Sequence, residues 1–196
     1  MTHPISRYPV PELEDLPADI RDKILQVQEK AGFVPNVFIT LAHRPDEFRA
    51  FFAYHDALML REASSLTKAE REMIVVATSG VNHCLYCVIA HGAILRIYAK
   101  NPQIADQVAV DHRKADITPR QRAMLDFAVK LTESPASIEE SDRQALRTAG
   151  WTDRDIWDIA AVAGFYNMSN RIASATDMKP NREYHYLARA EPQPNA

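Results

Sequence analysis

Residues 67–100 read TKAEREMIVVATSGVNHCLYCVIAHGAILRIYAK. This stretch holds both cysteines of the chain, Cys84 and Cys87, with His91 four residues beyond the second. Apolar residues recur at helical spacing on either side of Gly80–His83. The spacing predicts two helices, Thr67–Ser79 and Cys84–Lys100, joined by a short turn that folds one back onto the other. At about 100° per residue, Cys84, Cys87 and His91 fall within about 60° of one another on one face. Ile94, Leu95 and Tyr98 continue that stripe, so the thiols and the imidazole are predicted to point inward. Asn82 is predicted to cap this helix and Gly80 to end the one before it.

The thiols then lie in the first two turns, where unpaired backbone N–H groups stabilise a thiolate. Residues three apart on a helix hold their Cα atoms within the range a disulfide can bridge. Glu72 shares a face with Ala69, Val75, Val76 and Ser79, whereas Glu70 and Arg71 are predicted to face solvent. A carboxylate on an apolar stripe needs a partner or a raised pKa. The fold-back brings Glu72 toward Cys84, Cys87 and His91. A carboxyl, an imidazole and two thiols in one place can move protons at neutral pH.

Outward from this pair the periodicity stays helical. Further helices are predicted over Leu16–Gly32, Asn36–Ala42, Asp46–Arg61, Pro102 to about His112, Thr118–Thr132, Ile138–Thr148 and Thr152–Thr176. Asp15 is placed to cap the first of these. No segment alternates convincingly with a period of two. The fold class is therefore all-α: one domain over 1–196, with an N-terminal arm (1–15), the redox helix pair (66–100) and a flexible tail (187–196). Thr67-x-x-Glu70 and Thr118-x-x-Gln121 are capping boxes, and Thr152-x-x-Asp155 is a weaker version. The first two lie in a short repeat: LTKAEREMI (66–74) aligns with ITPRQRAML (117–125), with Glu72 opposite Ala123. Capped helices resemble one another, so the repeat fits shared chemistry as well as shared origin.

The composition excludes several classes of function. A net charge of -3 gives no broad basic field for nucleic acid. With 5 glycines and no Gly-rich phosphate loop, nucleotide-cradling folds are set aside. No apolar run approaches the roughly 20 residues needed to cross a bilayer. The opening MTHPISRYPVPELEDLP lacks the apolar core of a signal peptide, so a cytoplasmic location is expected. Thiols there are kept reduced, which makes a close cysteine pair catalytic or metal-binding rather than a structural disulfide.

A lone C-x-x-C has three readings. Structural zinc normally needs four protein ligands, and only His83, His91 and Glu72 stand nearby. Two inert core thiols are the second reading. A redox dithiol is the third, and the inward histidine and carboxylate favour it. His43, His55 and His112 form no constellation in the sequence and read as structural. Phe48, Phe51, Phe52 and Tyr54 read as core or oligomer contacts, as do Trp151, Trp157, Phe165 and Tyr166.

Glu72, Cys84, Cys87 and His91 together spell E-x11-C-x2-C-x3-H. That pattern resembles the alkyl hydroperoxidase D (AhpD) family within the carboxymuconolactone decarboxylase-like superfamily. The flanking FVPNVFITLAHRPDEFRAF and WTDRDIWDIAAVAGFYNMSNRIA resemble its peroxidase-related branch. The likeness spans roughly Gly32 to Thr176. It implies an all-helical AhpD-like fold, a homo-oligomer, and a thiol-dependent peroxidase with no metal or other cofactor. It assigns peroxide attack to Cys87, resolution to Cys84, and proton relay to Glu72 and His91. The implied partners are a hydroperoxide substrate and a dithiol reductant, a lipoylated or thioredoxin-like protein, with no nucleic acid and no membrane. The family carries a histidine directly before the second cysteine, where this chain has Tyr86; Tyr86 and the nearby His83 are therefore secondary candidates. The rival readings are a non-catalytic redox-sensing helical oligomer and a decarboxylase-like lyase, the latter weakened because those members lack the cysteine pair.

Overall fold

The computed structural model describes residues 4–189. Among them are nine α-helices and no strand: α1 (Ala18–Ala31), α2 (Asn36–Leu41), α3 (Pro45–Met59), α4 (Lys68–Val81), α5 (Leu85–Ala99), α6 (Ile104–Asp111), α7 (Pro119–Glu133), α8 (Glu140–Thr148) and α9 (Asp153–Ala175). The protein is all-α, as its periodicity predicts. The helix ends are set by local chemistry. Thr67, Thr118 and Thr152 each accept from the backbone N–H three residues on, and the Glu70, Gln121 and Asp155 side chains accept from the threonine N–H in return. The α1 helix stops at Gly32, whose φ of 81° lies in the left-handed region. Asp15 does not cap α1: it ends a short 3₁₀ turn, and Pro17 occupies the cap position without a side-chain bond.

The hub is α4, which packs against α5, α6, α7 and α9. Every residue from Glu70 to Ser79 is buried. That corrects the solvent-facing expectation for Glu70 and Arg71. Glu70 pairs with Arg120 of α7 at 3.3 Å, and the Arg71 guanidinium donates to the carbonyls of Met59 and Arg61. Amphipathic reading assumes one solvated face; a helix walled on four sides has none, so its charged groups are buried with partners.

Two further corrections concern the turn after α4. The helix runs through Gly80 to Val81, and the residue that reverses the chain is His83, with φ 52°. Glycine is needed at position 80 for contact, because a Cβ there would stand 2.6 Å from the Ala109 carbonyl oxygen of α6. Asn82 does not cap α5; its side chain donates to Asn167 and Asn170 of α9.

A second cluster, built on Ile20, Ile24, Phe48 and Phe52, joins α1 and α2 to α3. The N-terminal arm is pinned to the segment after α9: Arg7 N–H donates to Thr176 O, and Lys179 N–H to Ile5 O. The tail expected over 187–196 falls outside the described residues from 190 onward. Leu187 itself is held, its carbonyl accepting from the buried Arg96 at 3.0 Å. Trp151 is buried beneath Arg120, as a core residue should be, whereas Trp157 is 75% exposed and belongs to no core. Tyr98, expected on the inward stripe of α5, is likewise exposed. Among the described residues no helix is long and apolar enough to cross a membrane.

Candidate active site

Cys84 is the N-cap residue of α5, with φ -80° and ψ 99°, and Cys87 is its third helical residue. Both are buried, and both are free thiols. The chain must leave α4, reverse at His83 and enter α5 within three residues, which fixes the first sulfur at the open N-terminus of a helix. Amide groups there favour negative charge. The Cys84 thiol is brought down to about 7 from an ordinary 9.0: the neighbouring Cys87 thiol is the main cause, burial opposes it, and the Cys87 backbone N–H and the charge of His91 add to the effect. Cys87 moves the other way. The adjacent Cys84 and burial push it well above 9.0, against a smaller pull from Asn170 and Ser169. When the dithiol loses one proton, the charge therefore settles on Cys84 and the remaining proton on Cys87.

His91 lies on α5 one turn beyond Cys87. Its Nδ1 is 2.8 Å from Oε2 of Glu72 on α4. Glu72 is 5% exposed, so the imidazole is the partner that its buried carboxylate requires. The imidazole meets the ring of Tyr166 edge-on, with centroids 4.8 Å apart. Cys87 and His91 both line a cavity of about 430 Å³ whose wall is largely aromatic and aliphatic, from Phe33, Phe38, Phe51, Phe52 and Ile94. Cys84 does not line it. One sulfur therefore faces the cavity while the other carries the charge behind it.

The secondary candidates are placed differently. Tyr86 lines the cavity, but its hydroxyl accepts from the Val37 N–H at 3.2 Å and makes no hydrogen bond to Glu72 or His91. His83 is exposed on the turn and does not line the cavity. Residues that sequence reasoning left as core or structural are brought in instead. From α9, Tyr166 and Ser169 line the cavity, while Asn170 donates to Ser79 Oγ and stands beside Cys87. From α3, His55 lines the same cavity. The signal for the α9 residues is present in the sequence. Tyr166, Ser169, Asn170 and Ala173 recur at helical spacing, a face that mixes polar and apolar side chains.

The fold and this pair of thiols define a class: all-helical proteins carrying a dithiol at a helix N-terminus beside a buried carboxylate–imidazole pair. The chain belongs to the AhpD-like family of the carboxymuconolactone decarboxylase superfamily. Residues 45–111 match the carboxymuconolactone decarboxylase family. An alkylhydroperoxidase AhpD core, a peroxidase-related protein from Ralstonia eutropha JMP134, is 65% identical, with a TM-score of 0.96 over 97% of this chain and 100% of that one. A peroxidase-related protein from Silicibacter sp. TM1040 is 47% identical, with a TM-score of 0.91 over 96% of this chain and 100% of that one. The debrominase Bmp8, solved with 2,3,4-tribromopyrrole, shares the fold alone: 19% identity and a TM-score of 0.77 over 95% of this chain and 96% of that one. No curated protein matches the chain.

Proposed function

We propose that this protein is a thiol-dependent peroxidase that reduces organic hydroperoxides through a Cys84/Cys87 dithiol–disulfide cycle. The observation that carries the reading is a pair of free thiols of which Cys87 lines an apolar cavity together with His91, itself hydrogen-bonded to Glu72. An apolar wall favours a hydroperoxide with a hydrocarbon body over hydrogen peroxide, because only the former gains from burial there.

The cycle balances with the groups present. The proton on Cys87 passes to Cys84, freeing the sulfur that faces the cavity. The Cys87 thiolate attacks the terminal oxygen of R–O–O–H; an S–O bond forms, the O–O bond breaks, and the departing alkoxide takes a proton from His91, whose imidazolium is held against the Glu72 carboxylate. Cys87 is now a sulfenic acid. Cys84 returns its proton to His91 and attacks the sulfenic sulfur. The S–S bond forms, hydroxide leaves, and the same proton converts it to water. An external dithiol, itself oxidised to a disulfide, restores both thiols by exchange. The position of Cys84 at the N-cap suits this order, since the sulfur that must be a thiolate at resolution has the lower proton affinity.

Thiol titration before and after one equivalent of cumene hydroperoxide tests the reading. Both thiols are expected to disappear together, to return with dithiothreitol, and to support steady turnover that Cys87→Ser lowers by at least about a thousandfold. Thiols that stay free after peroxide overturn the proposal. Stoichiometric oxidation without cycling in excess dithiol points instead to a redox sensor.

A further inference from the structure

The proposed cycle leaves one polar group of the cavity without a task. His55, in the last turns of α3, lines the same cavity as Cys87 and His91. Its ring is walled by Phe52 and Phe165, with centroids 6.1 Å and 6.2 Å away. Its Nδ1 is 2.9 Å from Asp56 Oδ1, and Asp56 Oδ2 accepts from Lys23 Nζ of α1 at 2.7 Å. A carboxylate is an acceptor only, so Nδ1 carries the hydrogen and Nε2 presents a lone pair. Nε2 makes no hydrogen bond among the described residues. Burial keeps this imidazole neutral at neutral pH; Asp56 pulls the other way, as does Glu72 of α4, and His91 of α5 adds to the effect of burial. Lys23 is tied up by Asp56. A neutral imidazole oriented by a carboxylate, with its second nitrogen unused, is an acceptor set for an O–H.

We infer that the cavity binds an apolar molecule carrying a single terminal O–H, and that His55 Nε2 accepts that O–H. In a hydroperoxide the oxygen bearing the hydrogen is also the one the thiolate attacks. Holding it at His55 would fix the reacting oxygen inside the cavity that Cys87 lines. This deepens the peroxidase reading by naming the group that recognises the reacting end of the substrate. The binding claim itself requires no turnover.

The test compares two unreactive probes that differ by one hydroxyl, cumyl alcohol and cumene, by calorimetry on the reduced protein. Cumyl alcohol is expected to bind the wild type about tenfold more tightly than cumene, the value of one buried hydrogen bond. In His55→Leu the preference is expected to vanish, because no acceptor remains. His55→Gln, whose amide oxygen can accept, is expected to retain most of it. Asp56→Ala, which spares the ring but removes its orienting carboxylate, is expected to lose part of the preference, and this keeps the test decisive if His55→Leu does not fold. An equal alcohol-to-cumene ratio in wild type and variants overturns the inference, as does failure of cumyl alcohol to bind at millimolar concentration. Loss of hydroperoxide turnover with the preference intact would count against the peroxidase reading alone.

Discussion

The N-terminal turns of α4 and α7 are built to one plan and put to different uses. Each opens on a threonine capping box. Each sends its arginine to carbonyls of the chain just before it: Arg71 to Met59 at the end of α3 and to Arg61, Arg122 to Ala115. Each buries the methionine that follows, Met73 or Met124. They part at one position. Glu72 reaches the imidazole of His91, whereas Ala123 is half-buried and carries no ionisable group. After α4 the chain reverses at His83 and enters the thiol helix; after α7 it passes through Pro135 into α8 without a thiol. The shared residues are those that start and anchor a helix. The carboxylate and the thiols belong to the α4 side alone, at one inward position and in the element that follows.

One substitution makes the two helix starts alike. Glu72→Ala gives α4 the residue of α7. His91 loses the carboxylate that orients it, and a proton donor set by hydrogen bonding contributes a factor of roughly 10² or more. The value of kcat/KM for cumene hydroperoxide at saturating dithiol is expected to fall by about 100-fold, or about 2.7 kcal/mol. The melting temperature is expected to change little, since the variant also removes a buried carboxylate. A loss of less than about twofold would mean that the difference between the copies is not catalytic.

How much of this was legible in advance follows from where each residue stands. The helices and their caps were readable because threonine boxes and apolar spacing are local. The Glu72–His91 contact was readable as a direction, because a short turn between two helices leaves few ways to fold back. The solvated side assigned to Glu70 and Arg71 was wrong because helical periodicity reports one face and says nothing about how many neighbours arrive. The α9 wall and His55 are separated from the thiols by tens of residues. Helical spacing marks the α9 face, but which cavity that face and His55 come to line is set by the tertiary packing of α3 and α9. The sulfur that carries the charge was likewise open until Cys84 proved to be the cap and Cys87 the residue that faces the cavity.

The two regions also differ in their response to pH, because only the α4–α5 half carries thiols. In the folded chain Cys84 titrates at about 7, against an ordinary 9.0. Its folded pKa is depressed, so across this interval the unfolded chain binds more protons at this group. Stability from Cys84 therefore rises with pH, is complete above 9 and is gone below 7. Cys87 acts in reverse: its raised pKa costs stability once the unfolded thiol begins to ionise. Denaturant unfolding under reducing conditions is expected to gain on the order of 2 kcal/mol between those limits and then turn down. Cys84→Ser is expected to lack the rise. A wild-type profile that is flat across the interval would remove the thiolate from Cys84.

The smallest expected difference lies in the caps themselves, where the copies look most alike. Thr118→Ala removes the acceptor for the Gln121 N–H at an exposed helix start and is expected to cost about 1 kcal/mol. Thr67→Ala is expected to cost more, up to about 2 kcal/mol. Its hydroxyl also stands 3.0 Å from Glu70 Oε2, and Glu70 is buried, so the variant strips a donor from a carboxylate that water cannot easily reach. Arg120 would remain as its partner across the α4–α7 contact. Neither change touches the cavity, so hydroperoxide turnover per folded molecule should match the wild type in both. Equal losses for the two threonines would show that the buried ion pair between the copies adds nothing to the cap. A loss of turnover in Thr67→Ala at unchanged stability would show that the start of α4 also sets the position of Glu72.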